Sequence, residues 1–293
     1  MRFAIYSRLF KPQDLPYIQE LFDVIGGLGG EVTVIEPFYK QIFKKLEGEK
    51  GHDVFNTRED LEAQKPDLLI TMGGDGTILD TPILIKGLNI PILGINLGRM
   101  GFLATIEKEN IRKAVESFVQ GAFYLDNRTL LHLESNMPIF KGNHFALNDL
   151  TLLKRETSSM IIVHTYLNGE FLNSYWADGV ILATPTGSTG YSLSCGGPII
   201  YPDSGNFVIT PVAPHNLYVR PFVISDDSVV SFEIEGRAEH FLCTLDSRYE
   251  QITSAHRLAI RKADFTVSLV RMQNRNFLTT IRQKLFWGTD IRN

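Results

Sequence analysis

The chain has 293 residues, 44% of them hydrophobic and 21% charged, with a net charge of −4. That length exceeds what one core usually spans and points to two domains, while the acidic balance argues against a nucleic-acid partner, whose binding domains carry a basic face. Two distant cysteines in apolar surroundings, Cys195 and Cys243, offer neither a zinc spacing nor a disulfide framework and fit a reducing, cytoplasmic location; no apolar run reaches about 18 residues, so neither a membrane span nor a membrane partner is expected.

In chain order, residues 1–6 read directly as a strand and not as a signal peptide. Leu15, Ile18, Leu21, Phe22 and Ile25 fall on one helical face, and Gly26-Gly27 is expected to end that helix. Residues 32–35 read as a second strand, 38–46 as a helix, 67–72 as a strand feeding a Gly-rich loop, and 92–95 as another strand. Pro82 either kinks a helix that starts at Thr77 or begins a new one after Thr81. Ile111, Ala114, Val115, Phe118 and Val119 form an amphipathic face closed by Gly121. Such alternation implies a parallel sheet with helices on its faces, and ligands of such sheets bind at the carboxyl ends of the strands.

Beyond residue 125 the pattern becomes all-β. Residues 160–167 and 170–176 flank Asn168-Gly169, a hairpin signal, and further runs occur at 207–210, 229–234 and 265–270. The final residues, with Phe277, Leu278, Ile281 and Leu285, again read as a helix, which is expected to return to the first domain.

Four segments carry candidate chemistry. In Gly73-Gly74-Asp75-Gly76-Thr77 the glycines let the backbone turn tightly and approach a charged ligand, and a strand-to-helix turn aims N–H groups at anions. A pure phosphate cradle has no use for the central Asp75; a loop that binds phosphate and also takes a proton from a hydroxyl does. The competing reading is that Asp75 or Thr77 caps a helix. Residues 178–198 crowd hydroxyl side chains and five glycines after Asp178, a composition suited to ribose, amide and phosphate groups, or else an Asp-Gly hairpin followed by a serine-rich loop. Residues 96–103 form a second Gly-rich loop, in which Phe102 either stacks on a base or nicotinamide or belongs to the core. Asn148-Asp149 offers an amide and a carboxylate for vicinal hydroxyls, or a turn; His215 reads as a corner residue. No residue set matches a metal cage.

Together these segments resemble the NAD kinase family over nearly the whole chain. The resemblance rests on residues 73–77, 96–103, 146–149, 178–198, 211–221 and 285–288. The Gly-Gly-Asp-Gly-Thr motif is shared with lipid kinases; the 184–198 segment, with Pro214-His215 and Arg220-Pro221, is specific. The resemblance implies a Rossmann-like α/β domain (1–124), an all-β, sandwich-like NAD-binding domain (125–270) and a terminal helix (271–293) that packs back on the first. It implies phosphoryl transfer from ATP or polyphosphate to the 2′-hydroxyl of the adenosine ribose of NAD, with Asp75 as proton acceptor. Gly73, Gly74 and Thr77 would shape the donor side. Asp75, Gly76, Phe102, Asn148, Asp149, Ser159, Trp176, Asp178, Thr189, Gly190, Tyr191, Ser192, Leu193, Ser194 and Arg248 would face NAD, Ser159 and Trp176 by spacing alone. Mg²⁺ would arrive on the donor, and the chain would form a dimer or tetramer.

Some positions depart from the family pattern. Asp149 stands where Glu is most frequent, Gly190 replaces a usual alanine, and Asp246-Ser247-Arg248 replaces Asp-Gly-Gln. A lipid kinase would share the 73–77 loop without needing the 184–198 segment, and a non-catalytic NAD(P) sensor on the same scaffold would not need Asp75.

Overall fold

The computed structural model describes residues 1–47, 51–98, 101–155, 159–273 and 276–287. They form two compact units, Met1–Asn127 with Val267–Asn293, and Arg128–Thr266.

The first unit is built on a parallel sheet. Its strands lie in the spatial order Asp53–Phe55, Glu31–Ile35, Arg2–Tyr6, Leu68–Met72, Ile92–Asn96, and Leu269 of the long strand Arg257–Met272 pairs in parallel with Ile92. Phe3, Ala4, Ile5 and all of Leu68–Met72 are buried, as expected of strands covered on both faces. Helix Leu15–Gly27 buries Ile18, Leu21, Phe22 and Ile25 and packs against helix Ile111–Val119. It ends at Gly27, as the glycine pair predicts, and Gly29, with φ 69°, takes the left-handed conformation just beyond it. The helix expected at 38–46 is Glu36–Ile42 followed by a 3₁₀ turn, Phe43–Lys45. Pro82 begins a new one-turn helix, Pro82–Ile85, where its missing N–H costs nothing. Strand Asp53–Phe55 and helix Arg58–Gln64, whose Thr57 and Asp60 form a reciprocal cap, carry too few apolar residues to stand out in the sequence.

The second unit contains a six-stranded antiparallel sheet in the order Phe222–Ser225, Asn206–Val212, Gly179–Ala183, Asp149–Lys154, Phe241–Leu245, Arg248–Ile252. A second sheet joins Glu170–Ala177, Ile161–Leu167, Val230–Glu235 and the start of Arg257–Met272. Side chains of both sheets, among them Leu152, Val180, Phe207, Phe232, Phe241 and Ile260, share one buried cluster. Asn168 and Gly169 have φ of 52° and 85°, which is the two-residue turn that matches strand twist. The chain passes between the units inside strands, Phe123–Ser135 and Arg257–Met272, and not through linkers.

The terminal helix Phe277–Leu285 belongs to the first unit and is capped by Asn276, whose side chain accepts from the Thr279 N–H at 2.9 Å. It anchors by fewer side chains than its pattern suggests: Ile281 is 4% exposed, but Leu278 is 54% exposed. Ile281→Ala should therefore cost about 2–4 kcal/mol in denaturant unfolding, and Leu278→Ala less than about 0.5 kcal/mol. Equal midpoints for the two variants would show that the helix is not held through Ile281.

Candidate functional site

In the first unit the strand order reverses between Arg2–Tyr6 and Leu68–Met72, and the crevice beyond the carboxyl ends at such a reversal is where open α/β sheets bind ligands. A cleft of about 260 Å³ lies there, lined by Arg8, Lys11, Gly73, Gly74, Thr77 and Gly98 among others. Gly73 is required: a Cβ there would stand 2.2 Å from the Thr77 hydroxyl. The helix that follows, Asp75–Leu79, is a single turn, too short to supply the helix-terminus field expected of this loop. Positive charge comes instead from Arg8 and Lys11, which the sequence reading missed; their place just after the first strand, at the reversal point, was the available signal. Arg8 is ion-paired through two nitrogens with Asp80, and the Tyr6 hydroxyl donates to the same carboxylate at 3.1 Å. Burial, reinforced by Asp80, pushes the Tyr6 phenol up.

Asp75 is not a cap. Gly74 occupies the cap position with no side-chain bond. The Asp75 carboxylate turns to the second Gly-rich loop: Oδ2 accepts the Phe102 N–H at 2.8 Å, and Oδ1 accepts those of Leu103 and Ala104 at 3.1 and 2.9 Å. Gly101 lies so close that a Cβ there would be 1.7 Å from Oδ1. A carboxylate has about four acceptor positions, so among the described residues these bonds leave one, on Oδ2, of a half-buried group. Phe102 is half-buried, with the Lys284 ammonium 5.6 Å above its ring.

In the second unit, Asp246 organises the Asn148-Asp149 segment. Its carboxylate accepts the N–H groups of Leu147, Asn148 and Asp149 at 2.8, 2.7 and 3.3 Å, and its own N–H donates to the Asp149 carbonyl at 3.0 Å. Asp246 sits at φ 54° in the tight turn before Arg248. The Asn148 side-chain oxygen is buried without a partner among the described residues. The Asn148 backbone carbonyl passes so close to Gly187 that a Cβ there would be 2.1 Å away, whereas one on Gly190 would meet the Gly187 carbonyl at 3.3 Å and the Asn148 amide nitrogen at 3.5 Å. An alanine is therefore excluded at 187, and at 190 it needs the Gly187 carbonyl to give by a few tenths of an ångström. Asp149 is buried, accepts from Thr151 at 3.1 Å, and is pushed up to about 7 by burial and by the Asp246 carboxylate.

The hydroxyls of 184–192 mostly point inward, contrary to the expectation that they await a ligand. Thr184 donates to the Leu147 carbonyl at 2.6 Å, Ser188 to that of Pro185 at 2.6 Å, Thr189 to that of Thr186 at 3.0 Å, and Ser192 is bonded to Thr210 at 2.8 Å. Ser192 is wholly buried, so its side chain shapes the turn; Tyr191 and Ser194 are exposed, and Thr189, Gly190 and Leu193 partly so. The residues read as a possible Asp-Gly hairpin are the central strand Gly179–Ala183. Asp178 pairs with Lys154 at 2.5 Å. Ser159 and Trp176 line one cleft of about 520 Å³ with Glu235 and Arg237. The Arg248 guanidinium is committed within the protein, donating to the carbonyls of Asn143 and Phe145 and lying 5.8 Å from the Phe140 ring centre. His215 is exposed, and its backbone N–H donates to the Trp176 carbonyl.

Residues 5–123 match the ATP-NAD kinase N-terminal domain, and residues 147–272 match the ATP-NAD kinase C-terminal domain. The chain belongs to the NAD kinase family. It is 46% identical to the NAD kinase of Cytophaga hutchinsonii, 42% to that of Flavobacterium johnsoniae and 40% to that of Bacteroides fragilis, covering all of each chain on both sides. Its fold is that of a yeast NADH kinase solved with NADH (TM-score 0.87, 24% identity, all of this chain and 89% of that one) and of an Archaeoglobus fulgidus NAD kinase solved with ATP (0.74, 24%, 98% and 99%). As a member of this family the chain is a phosphotransferase, and the match to both domains decides against a lipid kinase.

Asp149 has a raised folded-state pKa, so the folded chain holds a proton there that the unfolded chain releases. Stability is therefore lost as pH rises from about 4 through about 7. Asp149→Asn removes this loss: its stability relative to the parent should rise between pH 5 and pH 8, by up to about 3 kcal/mol. A difference in unfolding free energy that is flat with pH would show that Asp149 is ionised throughout.

Proposed function

We propose that the chain transfers a phosphoryl group from ATP or polyphosphate to the 2′-hydroxyl of the adenosine ribose of NAD, giving NADP, with Asp75 accepting the hydroxyl proton. A sugar hydroxyl is a poor nucleophile at neutral pH, and a fixed carboxylate takes its proton as the new P–O bond forms. The rest of the rate comes from positioning and from charge neutralisation on the transferring group. The observation that carries this reading is the gripped Asp75 carboxylate, with one acceptor position left on a partly exposed oxygen.

The donor phosphates would lie in the cleft of Arg8, Lys11, Gly73, Gly74 and Thr77. The NAD contacts would come from Gly76, Phe102, Asn148, Asp149, Asp178, Thr189, Gly190, Tyr191, Leu193 and Ser194, with Ser159 and Trp176 supplying a further cleft and Ser192 holding the turn. The unpartnered Asn148 oxygen supports a polar ligand there. No group of three or more His, Cys, Asp or Glu able to hold a metal occurs among the described residues. In this reading Mg²⁺ is bound by the phosphates of the donor, where it neutralises charge.

We further read the chain as cytoplasmic and as a dimer or tetramer. No helix among the described residues is long and apolar enough to cross a membrane. Leu217 and Tyr218, 81% and 92% exposed, and the half-exposed Phe222 and Val223 of an edge strand are apolar side chains that self-association would cover.

Asp75→Asn keeps the shape of the group and removes the proton acceptor. It should bind NAD as the parent does and lose ~10²–10⁴-fold in kcat in a coupled assay with NAD, ATP and Mg²⁺. Phosphorus NMR of the parent's product should place the new phosphate on the ribose 2′ oxygen. A variant retaining more than about a third of the parent kcat would remove Asp75 from the chemistry, because loss of a general base costs far more.

A further inference from the structure

We propose that Arg271 is a positioning residue for Asp75, acting through the two peptide groups that join Phe102, Leu103 and Ala104. Arg271 is 6% exposed. Its Nη1 donates to the Leu103 carbonyl and to the Thr105 hydroxyl, both at 2.9 Å, and its Nη2 to the Phe102 carbonyl at 3.4 Å. Its Nε donates to Asp126 at 2.9 Å, a pair in which Arg271 is buried and Asp126 mostly so.

The carbonyl of Phe102 and the N–H of Leu103 belong to one planar peptide group; the carbonyl of Leu103 and the N–H of Ala104 belong to the next. In a trans peptide the two ends point in opposite directions. Each of these groups therefore bridges a cation to a carboxylate, with Arg271 on its oxygen and Asp75 Oδ1 on its hydrogen. The peptide dipoles line up with the field of both charges, and each bond polarises the other. Because the planes are stiff, the guanidinium fixes where the N–H groups sit, and the N–H groups fix the carboxylate. Gly101, with no room for a Cβ against Oδ1, keeps the strap seated.

The arrangement needs an arginine. Bonds to two carbonyls, a hydroxyl and a carboxylate use the flat, five-donor fork; a lysine has the charge but not the geometry. Burying such an ion pair is a poor way to gain stability, whereas a catalytic group misplaced by about 1 Å loses about 100-fold in rate.

The proposal rests on Asp75 being the proton acceptor, and the experiment separates the two ideas. Four full-length enzymes are compared: the parent, Arg271→Lys, Asp75→Asn and the double variant. Arg271→Lys should lower kcat about 10- to 100-fold while KM for NAD and for ATP changes less than about twofold. On the Asp75→Asn background the same change should alter the residual rate by less than about twofold, since the group it positions is gone. A second pair, Arg271→Met with Asp126→Leu, removes both buried charges together; it should melt near the parent and show the same loss in kcat. The proposal falls if Arg271→Lys keeps kcat within about twofold, if it costs the same factor on both backgrounds, or if the charge-free pair is folded and fully active. An active Asp75→Asn enzyme would instead overturn the assignment of the base, and the proposal with it.

Discussion

Among the described residues a carboxylate that gathers three consecutive backbone N–H groups occurs twice, and the segments 102–104 and 147–149 take their shape from it. Asp75 gathers those of Phe102, Leu103 and Ala104; Asp246 gathers those of Leu147, Asn148 and Asp149. Loop N–H groups that lack a ladder partner must be satisfied somewhere. An ionised acceptor does so with bonds stronger than neutral ones and draws successive peptides into one concave strap. In each unit the strap is what orients the neighbouring groups, so the loops are fixed features and not loose connections.

The two straps differ in what lies beneath them. Around Asp75 the opposite faces of the peptides meet a cation, and the local charge is balanced by Arg271 and Asp126. Around Asp246 the next carboxylate along is Asp149, so two acids share an enclosed space, and burial outweighs the three N–H bonds to push Asp246 up to about 6. Two like charges compete there for one favourable environment. The second unit thus holds a carboxylate whose protonation responds near neutral pH.

Much of this was legible in the sequence where local chemistry decides the outcome. Strand Leu68–Met72 is apolar but for Thr71, Asn168-Gly169 leaves its turn little choice, and Ile111–Val119 buries the face its spacing marks. The glycines at 73 and 101 and the carboxylate at 75 were visible as a motif. Their geometry was not, because Asp75 takes its partners about thirty residues away and Arg271 lies nearly two hundred residues along, where one more arginine in a strand pattern carries no signal. The hydroxyls of 184–192 misled for the same reason. Composition states that they can bond, but only tertiary structure states that Thr184 reaches Leu147 and Ser192 reaches Thr210. Arg128, buried against Thr186, lies within a 13-residue strand, Phe123–Ser135, that the sequence runs did not mark.

The strand Arg257–Met272 has a consequence for how the protein is made. The first unit is discontinuous: its sheet meets Leu269 at Ile92, and its Arg271 comes from the far end of the chain. A ribosome adding about 5–20 residues per second needs roughly 7–30 s to synthesise the second unit after the first 127 residues have been joined. Throughout that interval the Ile92 end of strand Ile92–Asn96 lacks its Leu269 partner, although Ile95 and Asn96 can already pair with Ile106 and Glu107, and an unpaired stretch of strand edge recruits foreign strands. The bonds from Arg271 to Phe102, Leu103 and Thr105 can therefore form only after the second unit has been synthesised.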